Sequence, residues 1–181
     1  QFVDDAVSNV FANLGEVPSF VNHVLQWRLP DAGLDGGRFV VNTTIGLVGL
    51  FDVASKMGIE QKSTDLGITL GRWGVGSGPY LVLPLLGPSS VRDGVGRGGD
   101  YFLDPLNQLG DDPLRWSLRG VETVDVRADL LSVEKLITGD RYVFMRNLYL
   151  KRRNFQLEGG EPAPADFEDE FDDELGNEFD E

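Results

Sequence analysis

Few side chains in this sequence can do chemistry, and their spacing narrows the choice further. There is one histidine, His23, and no cysteine, which excludes disulfide frameworks, Cys nucleophiles, Fe–S clusters and zinc sites built on Cys or several His within the chain. A Ser-His-Asp triad has only His23 to use. That residue lies between apolar Val21 and Val24 with no serine or carboxylate motif beside it, the setting of a packed or surface histidine. Asp93, Asp100 and Asp104 are near enough in sequence for paired-carboxylate acid–base work, but nothing in their spacing makes them converge. Gly94-Val95-Gly96-Arg97-Gly98-Gly99 satisfies G-x-G-x-x-G formally, yet a dinucleotide loop needs a strand before it and a helix after it. Pro88-Ser89-Ser90 precedes and Asp104-Pro105 follows, so a flexible connector is expected. Gly71 to Gly78 lacks the Gly-Lys-Ser/Thr that closes a phosphate loop.

Charge is unevenly distributed over the 181 residues. Glu158 to Glu181 hold 12 acids and no base, leaving residues 1–157 with 18 acids against 16 bases. A near-neutral body has no basic excess with which to neutralise phosphates, so nucleic acid is not an expected partner. Two parts are read on this basis: a single domain over residues 1–157 and an acidic tail over 158–181. In the tail, high charge and little apolar content favour a solvated segment. The alternative there is a segment that folds on a basic partner, because Phe167, Phe171, Leu175 and Phe179 recur every four residues. The opening Gln1-Phe2-Val3-Asp4-Asp5 has neither the basic nor the apolar region of a signal peptide. An intracellular protein, or a chain whose beginning is missing, is therefore expected.

The elements read as helical. Val3, Ala6, Val7, Val10, Phe11 and Leu14 give a 3–4 spacing that Gly15 is expected to stop. Pro18 to Trp27 follows as a second short helix carrying His23. Phe39 to Ile45 has strand propensity, but the apolar density through Val53 and the small residues Gly46 and Gly49 favour a helix up to Ala54. Ser63 or Thr64 is expected to cap a helix running to about Trp73, and Ser89 or Ser90 to cap a short turn that Gly94 to Gly99 breaks. Pro113 to Thr138 reads as one long helix or two abutting ones, and Arg141 to Leu157 as the last. There Arg141, Arg146, Lys151, Arg152 and Arg153 concentrate base, either to offset the helix dipole or to meet anionic head groups.

Trp73 to Val91 is a run of 19 residues without a charge, near the ~20 that a spanning helix requires. Its glycines and prolines argue against a span, since each broken ladder bond in hydrocarbon needs shelter from protein or a hydrated cavity. A broken, re-entrant or interfacial element is expected.

This segment, Leu70-Gly71-Arg72-Trp73-Gly74-Val75-Gly76-Ser77-Gly78-Pro79-Tyr80 through Pro84, Gly87-Pro88 and Arg92-Asp93, resembles the MlaA (VacJ) family of Gram-negative outer-membrane lipoproteins. The likeness also takes in Val7-Ser8-Asn9, Asn13-Leu14, Val21-Asn22, Arg38-Phe39, Asn42-Thr43, Gly49-Leu50-Phe51-Asp52-Val53-Ala54 and Thr69-Leu70-Gly71. It weakens through Gly120-Val121-Glu122-Thr123 and Arg127-Ala128 to about Gly160. The family's lipoprotein signal, acylated cysteine and first helical segment do not precede Gln1.

The resemblance implies an all-α, ring-like arrangement of amphipathic and broken helices around a central amphipathic channel, lying in the inner leaflet of the outer membrane. It implies a non-enzymatic role in retrograde phospholipid transport that maintains lipid asymmetry. Misplaced outer-leaflet phospholipid would pass through the channel to a periplasmic lipid carrier, with a trimeric porin as a further partner and no cofactor or metal. Gly71, Trp73, Gly74, Gly76, Gly78, Pro79, Tyr80, Pro84, Gly87, Arg92 and Asp93 would supply the broken backbone by the channel. Asn42, Gly46, Gly49, Phe51 and Asp52 would belong to a membrane-facing helix and its mobile loop. Arg146, Lys151, Arg152 and Arg153 are candidate head-group contacts. The competing readings are a porin-binding scaffold without its own channel and, more remotely, a lipid hydrolase using His23 or Asp93.

Overall fold

The structure is a computed structural model that describes residues 2–84, 87–110, 112–134 and 141–159. The tail beyond Gly159 and the expected helix break at Gly139 lie outside the described residues.

Helix α1 spans Phe2–Leu25 without interruption, where two helices were expected. Gly15 costs about 1 kcal/mol relative to alanine and Pro18 removes one ladder donor. Both are overridden by tertiary contacts. Asn13, Glu16, Ser19, Asn22 and His23 recur at three- and four-residue spacing and are all buried, so a polar stripe, not the apolar one, faces inward along the second half of the helix. Helix α2, Leu29–Thr44, returns antiparallel after a short connection and buries Ala32, Asp35, Arg38 and Asn42. The β-branched run from Phe39 is thus helical to Thr44, because Arg38 and Asn42 must share a face one turn apart.

The expected continuation of that helix to Ala54 does not occur. Residues 45–50 form turns, and α3 occupies only Val53–Lys56. Helix α4, Leu66–Arg72, is capped by Asp65, whose side chain accepts from Ile68 N, rather than by Ser63 or Thr64. The glycine-proline segment contains a hairpin: β1, Tyr80–Leu83, pairs antiparallel with β2, Gly87–Ser90, with Tyr80 opposite Ser90 and Leu83 opposite Gly87. This is a small exception to a helical fold, and it closes backbone bonds where the composition forbids a helix.

Ser90 caps α5, Val91–Leu103, by accepting from Asp93 N. The connector expected at Gly94 to Gly99 is the middle of this helix. Glycine is used there for close approach: a Cβ on Gly96 would lie 2.3 Å from Gly67 N on α4, so α4 and α5 touch backbone to backbone. A 3₁₀ turn at Pro105–Gln108 leads to α6, Asp112–Glu134, and α7 covers Arg141–Glu158. Among the described residues no helix is long and apolar enough to cross a membrane.

Gly96→Ala is expected to lower stability by about 1–3 kcal/mol through overpacking against α4, read as a shift of the urea midpoint; its control is Gly94→Ala, which meets open space in the same helix and is expected to raise stability by up to about 1 kcal/mol.

Candidate functional site

The turn after α2 is built to hold apolar side chains outward. Asn42 fastens its base: Asn42 Oδ1 accepts from Ala54 N at 2.9 Å, and Asn42 Nδ2 donates to Asp52 Oδ1 at 3.1 Å. From the α1 side Asn13 Nδ2 donates to Thr43 Oγ1 at 3.0 Å and Asn9 Nδ2 to the Leu50 carbonyl at 3.2 Å. Between these ties Leu47, Val48 and Gly49 run through positive φ at 54°, 62° and 88°. A β-branched residue there is an outlier, costing of order 1–3 kcal/mol, and the clasp holds it. The result is a knob on which Ile45 is 63%, Leu47 59% and Val48 69% exposed. Leu50, Phe51 and Val40 are exposed beside them. Gly46 and Gly49 are buried beneath the knob, and a Cβ on Gly49 would meet Asn13 at 2.8 Å.

Beneath the turn sits a buried ionic cluster. Arg38 Nε donates to Glu16 Oε1 at 2.7 Å, Nη2 to Asp52 Oδ2 at 3.2 Å, and Nη1 to Ser55 Oγ at 3.0 Å and to the Ile59 carbonyl. Glu16 and Arg38 are almost fully buried, and Glu16 Oε2 has no hydrogen-bond partner among the described residues. Burial therefore pushes the Glu16 carboxyl up to about 7 despite the bond and charge of Arg38. Burial also works against the Asp52 carboxylate, but donors from Ser55 and Asn42 and the charge of Arg38 outweigh it and bring that group down to about 2.

The second cluster fixes the glycine-rich segment. Asp93 is buried and accepts from Arg92 Nε and Arg153 Nε, each at 3.0 Å, and from the Tyr149 hydroxyl. Arg153 Nη1 also donates to Asp65 Oδ2 at 2.6 Å. Burial opposes ionisation of Asp93, yet the Tyr149 hydrogen bond and the Arg153 and Arg92 charges hold it below the usual carboxylate range. The Tyr80 ring lies 5.6 Å from Tyr142 and 5.8 Å from Tyr149, tying β1 to α7. Gly71 packs where a Cβ would meet Leu157 and Arg92.

The residues singled out from the sequence thus divide. Trp73, Gly74, Gly76, Gly78, Pro79 and Pro84 are exposed, Tyr80 and Gly87 half-buried, while Arg92 and Asp93 are buried. Arg146 and Arg152 are exposed on α7 and Lys151 is half-buried. Arg153 is engaged by two carboxylates and is a fastener of α7, not an open head-group contact. Asp93, Asp100 and Asp104 do not converge. Asp100 accepts from Asn22 Nδ2 and Leu66 N, and Asp104 pairs with Arg119 at 2.6 Å. His23 is buried with Nδ1 2.6 Å from Asp35 Oδ2. Ser63 shares a cavity with it, yet among the described residues no hydrogen bond joins the two, so no triad forms. Sequence reasoning did not find Glu16, Arg38 or Asp35 as a framework; their polar 3–4 spacing on facing helices was the available signal.

Comparison with known proteins follows this geometry. The MlaA lipoprotein family model matches residues 1–156. The chain belongs to the MlaA lipoprotein family. It is 35% identical over 170 residues to the intermembrane phospholipid transport system lipoprotein MlaA of Escherichia coli K12, covering 90% of this chain and 66% of that protein. It is 30% identical over 164 residues to the protein of the same name from Haemophilus influenzae, covering 87% and 65%. The chain thus spans just under two thirds of these relatives' length. A solved structure described as the structural basis for maintenance of bacterial outer membrane lipid asymmetry superposes with a TM-score of 0.73 at 31% identity, covering 85% of this chain and 79% of that one. The helical fold expected of an MlaA-family chain is the fold observed.

Between about pH 4.5 and 7 folded Glu16 holds more protons than unfolded Glu16, so its contribution to stability falls as pH rises through that window. Asp52 acts oppositely: its contribution is full above 3.8 and is lost as pH falls through about 2. Urea midpoints at pH 5 and pH 7.5 are expected to show a decline that Glu16→Gln flattens, since glutamine still accepts from Arg38 Nε without an ionised second oxygen.

Proposed function

We propose that this chain is the outer-membrane component of a retrograde phospholipid transport system, taking misplaced outer-leaflet phospholipid and passing it toward a periplasmic lipid carrier without catalysing a reaction. Membership of the MlaA lipoprotein family carries this reading. The chain would lie in the inner leaflet of the outer membrane beside a trimeric porin, its helices forming a ring around an amphipathic channel.

Two physical features support the placement. The knob at Ile45, Leu47, Val48 and Leu50 offers several apolar side chains, each worth about 1.5–3 kcal/mol when fully withdrawn from water. Such a surface suits one leaflet rather than a span. Within the segment Gly71 to Asp93 the backbone pairs as a hairpin between Tyr80–Leu83 and Gly87–Ser90 and is anchored to α5 through Val91 N to the Pro79 carbonyl at 3.2 Å and Arg92 N to the Ser77 carbonyl at 3.2 Å. Irregular backbone with those bonds closed is tolerated at membrane depth where it lines a hydrated path. Gly74 and Gly78, at φ 93° and 67°, would be its narrow points.

Flotation of the protein with vesicles of phosphatidylethanolamine and phosphatidylglycerol tests the placement. Val48→Asp is expected to lower the vesicle partition coefficient at least tenfold with unchanged circular dichroism, since a factor of ten needs only about 1.4 kcal/mol and a charge at the centre of the apolar layer costs ~2.5–3.5 kcal/mol. Gly78→Trp is expected to stop transfer of labelled phospholipid while vesicle binding and porin co-purification persist. Transfer undiminished in a folded Gly78→Trp protein would move the assignment to a porin-bound scaffold without its own channel.

A further inference from the structure

One polar cavity remains that neither the lipid-facing knob nor the glycine-rich segment uses. It opens where the C-terminal end of α1, the connection before α4 and the end of α7 meet. Its lining is His23, Arg28, Lys62, Ser63, Thr64, Gln156 and Gly159, around a cavity of about 50 Å³.

Charge in and beside this cavity is not balanced. Arg28 Nε binds Asp31 Oδ2 at 2.6 Å and Lys62 Nζ binds Asp31 Oδ1 at 3.2 Å, so one carboxylate serves two cations. A third cation, Arg72, lies beside the lining without forming part of it, its Nη2 3.4 Å from the carbonyl of the lining residue Gln156. Arg72 Nε is buried and has no hydrogen-bond partner among the described residues. Burial, followed by the like charge of Arg28, lowers the Arg72 guanidinium from its ordinary range, and only Asp31 opposes this. The floor is His23, its Nδ1 taken by buried Asp35. Ser63 and Thr64 complete the lining; the Thr64 N–H is donated to Ser19 Oγ at 3.2 Å and its hydroxyl oxygen accepts from Gln26 Nε2 at 2.9 Å.

We propose that this cavity binds a phosphate-type oxyanion, bridged by Arg28, Lys62 and Arg72 above the His23 ring. Two guanidiniums and an ammonium stand against two carboxylates, Asp31 on Arg28 and Lys62 and Asp35 on His23, which leaves donors and one positive charge unspent, and a phosphate presents acceptor oxygens and negative charge in the complementary arrangement. The shared chemistry is that of a free phosphate and of a phospholipid phosphodiester. The site does not depend on the transport reading; if the anion is a head group, it supplies that reading with a polar contact.

His23 is the chain's only histidine, so its ring protons are a single reporter at the cavity floor. The experiment titrates the full chain in zwitterionic detergent with inorganic phosphate, and separately with short-chain phosphatidylglycerol, following the His23 resonance at constant ionic strength and pH. Saturable shifts are expected, with at least tenfold weaker binding in Lys62→Gln and in Arg72→Gln. Lys62 is 41% exposed, so Lys62→Gln retains its fold, as circular dichroism will verify. Saturation by both ligands, with the lipid at least tenfold tighter, assigns the site to a head group; equal affinities, or saturation by phosphate only, assign it to the free anion. No saturable shift with either ligand, or affinities unchanged in folded Lys62→Gln and Arg72→Gln, overturns the proposal.

Discussion

Arg38 sits almost fully buried between α1 and α2, with every nitrogen of its guanidinium directed at a neighbour: Glu16, Asp52, Ser55 and the Ile59 carbonyl. Breaking such a pair by removing one partner typically costs about 3–5 kcal/mol, because the other charge is left buried and alone. The antiparallel pairing of α1 with α2, the placement of α3 and the shape of the 45–50 turn all follow from satisfying this one side chain. Asp93 repeats the arrangement for the rest of the chain, gathering Arg92, Arg153 and Tyr149 so that α4, α5 and α7 converge on it.

These clusters reverse the usual distribution of polarity. Among the described residues the buried ones include Asn13, Glu16, Asn22, His23, Asp35, Arg38, Asn42, Thr69, Arg92 and Asp93, whereas the buried apolar set is Ala32, Ala54, Ile68 and Leu106. Large apolar side chains such as Trp27, Val48, Trp73, Phe102 and Trp116 stand outside. Exposed apolar surface on this scale marks a protein or membrane contact. A chain that turns its large apolar side chains outward must hold its elements together by hydrogen bonds and ion pairs, which gain strength where water is excluded.

The same constraint explains the two irregular segments. A turn that carries Leu47 and Val48 through positive φ persists only because Asn13, Asn42 and Asp52 determine its two ends. The glycine-rich segment persists because Ser90, Pro79 and Ser77 give its backbone groups partners on α5. In both places strain and loop entropy are offset by buried polar contacts rather than by apolar packing, and both place their side chains toward the surroundings.

Much of the helical content was legible from spacing alone: α6, α7 and a serine cap at Ser89 or Ser90 follow from local chemistry, the structure selecting Ser90. So did the refusal of Trp73 to Val91 to span as a helix, since proline and glycine act within a few residues of themselves. The continuity of α1 through Gly15 and Pro18, the helix at Gly94 to Gly99 and the cap by Asp65 were not legible. Each depends on a partner far away in sequence: Arg38 for Glu16, Gly67 for Gly96, Arg153 for Asp65. The exposed knob was visible as an apolar run, but its outward direction was not, because an apolar residue carries no sign of whether protein or lipid will cover it. By itself the sequence determined which segments are helical or broken, through backbone preferences that are local. Tertiary structure alone decided which face turns inward, because pairing buried charges is a contest among distant residues that no local pattern records.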